Sequence, residues 1–202
     1  MAIDNFEELM QLNREHVFVP LRPWSVVTSP GGYNIFSQGQ GCRVTDVNGK
    51  SYLDFWGTIQ GANLIGYGRK EIADAAYQQM MTLHFTPTHE GSIPKTKLAQ
   101  KLAEISPGNL SNAFFASGGT ESIETALKVA RKYQRICGFP NRYKVISPNS
   151  YHGSTLGAMG TGSDLTFHWE DFEPLPPGYR HVVHSWCSRC PYDLTYPGCD
   201  LL

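Results

Sequence analysis

The chain contains no apolar run approaching the roughly 18 residues of a membrane-spanning helix, so a helical membrane protein is excluded. It also lacks an excess of charge of either sign. Seventeen Lys and Arg against 18 Asp and Glu leave a net charge of -1, which argues against a nucleic-acid partner held by phosphate contacts. The first residues, Met1 to Glu8, are acidic and carry no apolar stretch, so they do not read as a signal peptide. Five cysteines, an odd count, cannot complete a disulfide framework. No repeat or low-complexity tract interrupts the 202 residues. A soluble, cytoplasmic protein is expected, and with 41% hydrophobic residues it has enough apolar mass for a core.

Local signals then order the chain. Residues 4–16 have the spacing of a short amphipathic helix, with Phe6, Leu9, Met10 and Val17 near one side. Pro20 and Pro23 impose an extended stretch, and Gly31-Gly32 marks a turn. Residues Cys42–Val47 and Lys50–Phe55 flank Asn48-Gly49, which predicts a β-hairpin with a two-residue loop. The glycine-rich segment Gly57–Gly68 suits a loop packed close to something. Helices are expected over Arg69–Met81, on the row Ile72, Ala76, Met80, and over Pro94–Ile105, stopped by Ser106-Pro107-Gly108. Thr82–Ser92 between them reads as a loop. Residues from Leu165 onward, dense in Pro, His, Cys and aromatics, also read as loop.

The remainder of the chain is organised around one stretch. Asn112–Ala116 reads as a short buried strand. Ser117-Gly118-Gly119-Thr120 breaks it, and a helical repeat follows through Ile123, Leu127, Ala130 and Tyr133, ending at Gly138. A strand that breaks at glycines and opens a helix leaves backbone N–H groups without partners at the positive end of the helix dipole, a seat for a phosphate. Two glycines allow close backbone approach, and Ser117 or Thr120 can add a hydroxyl. The same residues also fit an ordinary helix start with Ser117 or Thr120 as N-cap. The spacing is neither that of a P-loop nor that of a dinucleotide-binding fingerprint. A further strand is expected at Tyr143–Ile146, parallel to the first, with Tyr151-His152-Gly153 after it. Loops at the carboxyl ends of neighbouring parallel strands share a crevice, so Ser117–Thr120 and Tyr151-His152 are expected to line one pocket. A phosphate seat beside an aromatic ring suits a phosphorylated planar cofactor.

Four stretches carry a resemblance to a known family. They are Asp46–Phe55, Gly66–Ala73, Phe115–Glu121 and Tyr151–Gly153, and in this order they resemble the class III (ω-amino acid, amine:pyruvate) aminotransferases of pyridoxal 5′-phosphate (PLP) fold type I. The resemblance implies an α/β fold with a three-layer α/β/α large domain, incomplete here, preceded by an N-terminal helix and hairpin. Residues 1–58 would belong to the small domain and 59–202 to the first part of the PLP-binding domain. It further implies that Ser117, Gly118, Gly119 and Thr120 hold the PLP phosphate and that Tyr151 stacks on the pyridine ring with His152 beside it. Trp56 and Gln60 would line the substrate pocket. The family's usual cradle is Asn-Ser-Gly-Ser/Thr, so Ser117 and Gly118 depart from it, and the side-chain contribution at Gly118 is lost.

The family also requires an acidic partner for the pyridine nitrogen and a Schiff-base lysine. No lysine follows Lys144, and Lys128 on the cradle helix reads as a surface residue, so the catalytic lysine is expected outside these 202 residues, in a longer enzyme. The function implied is transfer of an amino group from an ω-amine or ω-amino acid to a keto acid such as pyruvate, in a homodimer. The alternatives are a PLP-dependent lyase or decarboxylase of the same family, or a truncated, non-catalytic product. His181, His184, Cys187, Cys190 and Cys199 have spacings that could ligate zinc and stabilise such a product, but they crowd into too few residues for paired knuckles. No metal site is expected, and reduced thiols are the default reading.

Overall fold

The structure is a computed structural model describing residues 6–19, 23–29, 32, 34–55, 57, 62–148, 150–162, 169–183, 186–195 and 197–199. The chain forms two units, Met1–Ser92 and Ile93–Leu202.

The first unit opens with α1, Phe6–His16, which begins with Glu7 and Glu8 and ends with Arg14 and His16, so its charges oppose the helix dipole at both ends. Its apolar stripe buries Met10. A second helix, α2 (Trp24–Val27), starts directly after Pro23 and buries Val27 completely. The region is therefore helical after Pro23 rather than extended throughout. Proline lacks an N–H and so is tolerated where a helix begins, and its effect here is to start a turn rather than prolong an extended stretch.

Three antiparallel strands follow in the order β1 (Phe36–Gln40), β2 (Arg43–Asp46), β3 (Ser51–Leu53). Strand β1 is not evident from sequence, because Ser, Gly and Gln give it little strand propensity. The β2–β3 hairpin forms with Arg43 opposite Leu53, Val44 opposite Tyr52 and Thr45 opposite Ser51. Its loop has three residues rather than two. Asp46 N–H donates to the Lys50 carbonyl at 3.0 Å, Gly49 N–H donates to the Asp46 carbonyl at 3.0 Å, and Gly49 takes φ +82°. This is a type I turn closed by a glycine bulge. The buried Asp46 carboxylate holds it, accepting from Asn48 N–H at 3.0 Å, Lys50 N–H at 2.9 Å and the Tyr52 hydroxyl at 2.9 Å. Burial pushes this carboxyl up. The hydrogen bonds from Lys50, Tyr52 and Asn48, with the Lys50 charge, outweigh burial and hold it below the usual carboxylate range.

In the glycine-rich segment 57–68 close packing is seen at Gly66–Gly68, while Leu64 and Ile65 are exposed. Tyr67 and Gly41 exchange backbone hydrogen bonds of 2.7 and 3.0 Å, and a Cβ on Gly39 would come within 2.6 Å of the Tyr67 ring. The Tyr67 hydroxyl donates to Asp54 at 2.8 Å. Helix α3 (Lys70–Thr82) follows, with Arg69 bonded to Glu71 and Lys70 to Asp74 one turn on.

The second unit begins with α4 (Ile93–Ile105), which ends where Ser106 returns its N–H and hydroxyl to the Leu102 carbonyl. Residues 112–116 correct the expectation of a strand. They are exposed, with Phe114 at 72% accessibility, and join no ladder among the described residues. Without a neighbouring strand the N–H groups of an exposed run are left to water, so propensity alone does not make it a strand. Helix α5 (Gly119–Ile136) ends as its sequence predicts, with Phe139 N–H bonded to Gln134 and Gly138 N–H to Arg135.

A parallel pair does form, with a different partner from the one expected. Strand β4 (Val145–Pro148) pairs with β5 (Tyr179–Val182), Val145 opposite Tyr179 and Pro148 opposite Val182. The tail after Leu165 therefore contains a strand, and short 3-10 turns at Trp169–Phe172 and Cys187–Arg189. The connection between the strands includes α6 (Leu156–Thr161), whose Ala158, Met159, Gly160 and Thr161 are buried. Ser147 donates its hydroxyl to the Thr161 carbonyl, fixing α6 on β4.

Candidate active site

Helix α5 has Gly118 as its N-cap, with extended backbone and no side-chain cap. Neither Ser117 nor Thr120 caps it, so the ordinary-cap reading fails. The first bond into the helix runs from Ser122 N–H to the Gly118 carbonyl, and the Ser122 hydroxyl donates to the same oxygen at 3.0 Å. By helix geometry the N–H groups of Gly119, Thr120 and Glu121 then have no acceptor within the helix. The space around Gly119 is open, since a Cβ there would meet nothing within 4 Å. Beside Gly118 stands the Glu121 carboxylate, 2.9 Å from an added Cβ.

The loop after β4 reaches this helix start at Gly153. That residue takes φ +136°, and a Cβ on it would lie 2.8 Å from Thr120 Oγ1, 3.0 Å from Thr120 Cγ2 and 2.9 Å from Ala158 Cβ. Only glycine fits both the conformation and the space. Ser154 N–H donates to Thr120 Oγ1 at 3.4 Å, a long bond. One turn further along α5, Glu124 accepts from the Thr155 hydroxyl and from Ala158 N–H at 3.0 Å. Ala158 N–H is shared with Thr155 Oγ1 at 3.3 Å, so Thr155 is the N-cap of α6 and Glu124 is a second acceptor at the same helix end.

The arrangement therefore fixes the loop bearing Tyr151 and His152 to the first two turns of α5. Tyr151 is 51% accessible and His152 half-buried. His152 Nε2 lies 2.7 Å from Ser150 Oγ, which also donates to the Pro148 carbonyl at 3.1 Å. Of the residues singled out from sequence, Thr120 is joined to the Tyr151–Gly153 loop through Gly153, with Gly119 adjoining it. Trp56 and Gln60 lie outside the described residues. Glu124, Thr155 and Ser150 carry much of the geometry and were not identified from sequence. Glu124 had one readable signal: it stands four residues after Thr120 and so shares its helix face.

Part of the histidine–cysteine tail is described. His181 Nε2 lies 3.1 Å from the Gly160 carbonyl, and Cys187 is exposed, while Cys190 and Cys199 are partly covered. His184 lies outside the described residues. Among the described residues no three metal-ligating side chains come together.

Comparison with known proteins bears on this geometry. The model of the class III aminotransferase family matches residues 28–193. A probable aminotransferase of Mycobacterium tuberculosis is 41% identical over 161 residues, covering 78% of this chain and 34% of that protein. An adenosylmethionine-8-amino-7-oxononanoate aminotransferase of Methanocaldococcus jannaschii is 38% identical over 160 residues, covering 78% and 34%. Among solved structures, an (S)-enantioselective omega-transaminase from Thermomicrobium roseum superposes with a TM-score of 0.83 at 38% identity, covering 95% of this chain and 43% of that one. The chain thus spans about a third of the length of the curated relatives it matches. With the family model spanning most of the chain and the α/β fold of its solved relatives present, the chain belongs to the class III aminotransferases, PLP-dependent enzymes of fold type I.

Proposed function

We propose that the protein of which these residues form a part is a transaminase that moves an amino group from an ω-amine or ω-amino acid to a keto acid such as pyruvate. The observation that carries the reading is the uncapped start of α5 abutting the Tyr151–Gly153 loop, through Thr120 and Gly153. These residues fit PLP. Open space at Gly119 gives a phosphate room to approach the backbone, and N–H groups at a helix N-terminus are its natural donors. Ser117, Gly118, Gly119 and Thr120 would hold the phosphate, Tyr151 would stack on the ring, and His152 would stand beside it. Bound PLP supplies an electron sink for bonds at the carbon bearing the amine. What the chain contributes is orientation: a fixed phosphate and a stacked ring set the angle at which a substrate meets the cofactor.

Trp56 and Gln60 are assigned to the substrate pocket, residues 1–58 to the small domain and 59–202 to the first part of the cofactor domain. A cytoplasmic homodimer is the proposed setting. The ω-amine reading is supported by the family resemblance, in which the Gly66-Tyr67-Gly68-Arg69 stretch looks like the amine:pyruvate branch, and by the similarity to the T. roseum omega-transaminase. Other relatives are named for other donors, acetylornithine and diaminobutyrate among them. The test is a panel of amine donors and keto acids offered to the PLP-loaded enzyme with product identification. Alanine formed from pyruvate and an ω-amine supports the assignment. Turnover without any keto acid would replace it with a lyase or decarboxylase, and strict dependence on 2-oxoglutarate would move the acceptor.

A further inference from the structure

We propose that Ser150 is a positioning residue that holds the His152 ring as its Nε2–H tautomer, leaving Nδ1 as the nitrogen through which His152 accepts a hydrogen bond or a proton. The inference deepens the proposed cofactor site and rests on that reading for its functional meaning, though not for its geometry.

Ser150 Oγ lies 2.7 Å from His152 Nε2 and 3.1 Å from the Pro148 carbonyl oxygen. A hydroxyl has one hydrogen to give and can also accept, whereas a carbonyl only accepts. If the hydroxyl hydrogen went to a bare Nε2, the Pro148 carbonyl would face an oxygen with nothing to donate. If Nε2 carries the hydrogen instead, it donates to Ser150 Oγ, the hydroxyl donates to Pro148, and both contacts are satisfied at once. In the neutral ring the second nitrogen is then bare, since only one of the two carries a proton. The chain of bonds begins on the last residue of β4, so the ring's orientation is anchored to the β4–β5 pair. His152 directly precedes Gly153, the residue whose contact with Thr120 ties this loop to the start of α5, so the ring orientation set by Ser150 belongs to the loop that adjoins the proposed phosphate seat. In a metal site the partner of one imidazole nitrogen decides what the other can do, and the same logic holds here for a proton.

The experiment is nitrogen NMR of the full-length protein labelled with 15N at histidine, at a pH above 8, where imidazoles are neutral. His152 is assigned by the loss of its signals in His152→Asn. The expected result is a single Nε2–H tautomer with a slowly exchanging, observable Nε2 proton in the wild type and in Ser150→Thr, which keeps the hydroxyl. Ser150→Ala is expected to lose that proton signal and to show a tautomer mixture. A wild-type ring protonated at Nδ1 overturns the proposal without reference to any variant. Identical spectra for wild type and a folded Ser150→Ala overturn it as well. Equilibrium dialysis of PLP against the same wild-type sample separates the two readings. Absence of bound PLP beside an Nε2–H ring counts against the cofactor site and leaves Ser150 in its assigned place. Bound PLP beside an Nδ1–H ring does the reverse.

Discussion

Gly153 stands so close to Thr120 that a single added carbon would lie 2.8 Å from the threonine hydroxyl, while its φ of +136° already excludes ordinary side chains. Gly153→Ala must therefore shift either the Tyr151 loop or the start of α5. A residue forced into so sparsely populated a conformation costs on the order of 1–3 kcal/mol. The expected outcome is a lowered urea midpoint together with PLP affinity reduced by roughly tenfold, the equivalent of about 1.4 kcal/mol. Urea unfolding and PLP dialysis measure the two effects. Unchanged PLP binding in a folded Gly153→Ala would disconnect the loop from the cradle.

Glu124 is expected to matter for stability more than its half-buried position suggests. Its carboxylate is the acceptor shared by the Thr155 hydroxyl and Ala158 N–H, the one link between the second turn of α5 and the start of α6 described above. Glu124→Ala leaves Thr155 as the remaining acceptor for Ala158. Hydrogen bonds to charged groups contribute about 1.5–3 kcal/mol in favourable settings, and partial exposure brings the expected loss to about 1–2 kcal/mol. Glu124→Gln keeps an oxygen and should lose less than half as much. Denaturant unfolding of the two variants separates the charge from the acceptor.

Thr120→Val and Thr120→Ser divide the structural role of that side chain from its proposed ligand role. Its bond from Ser154 N–H is 3.4 Å long, so losing it costs little, about 0.5 kcal/mol, at the low end for a neutral hydrogen bond. A hydroxyl donated to a phosphate is a charge-assisted bond and stronger. Thr120→Val should therefore keep nearly the wild-type urea midpoint and lose roughly tenfold in PLP affinity, while Thr120→Ser retains both. Equal PLP affinity in Val and wild type would remove Thr120 from the phosphate seat and leave the backbone N–H groups alone.

Much of this fold was legible wherever the signal is local. The helices over α1, α3, α4 and α5 follow from periodicity, and Gly138 marks the end of α5 through its capping bonds. The hairpin was legible as a hairpin but not in its loop length, because Asn48-Gly49 suits two turn types and the decision belongs to Asp46, whose side chain takes both Asn48 and Lys50 N–H groups. Strands fared worse for a related reason. Residues 112–116 have the composition of a strand and no partner among the described residues, whereas Tyr179–Val182 lies in a polar tail and becomes a strand by pairing with β4. Partnership, not propensity, decides there. At the site, the glycines and the Tyr-His pair stand out in the sequence, while Ser150 and Glu124 do not. Serine and glutamate are ordinary residues, and only the spatial arrangement shows that one bonds an imidazole and the other a helix end 31 residues away.

Asp46 gives the first unit an acid-sensitive link. Its carboxyl is pushed up by burial but held, on balance, below the ordinary range by donors from Lys50, Tyr52 and Asn48. The folded form therefore titrates below the unfolded one, for which about 3.9 is usual. Protons bind the unfolded chain more readily, so the Asp46 contribution is complete above about pH 5 and disappears as pH falls through the folded value. Asp46→Asn removes this titration. Its amide still offers one oxygen to the turn but cannot serve three donors as a carboxylate does. The variant should be less stable than wild type at pH 7, and the two unfolding midpoints should converge toward pH 3. Tyr52→Phe deletes the hydroxyl donor alone, which raises the folded carboxyl toward its unfolded value and should reproduce part of the convergence. Urea midpoints measured from pH 3 to 7 on the three proteins check both statements, and parallel curves across that range would show that the Asp46 carboxylate does not hold the hairpin turn.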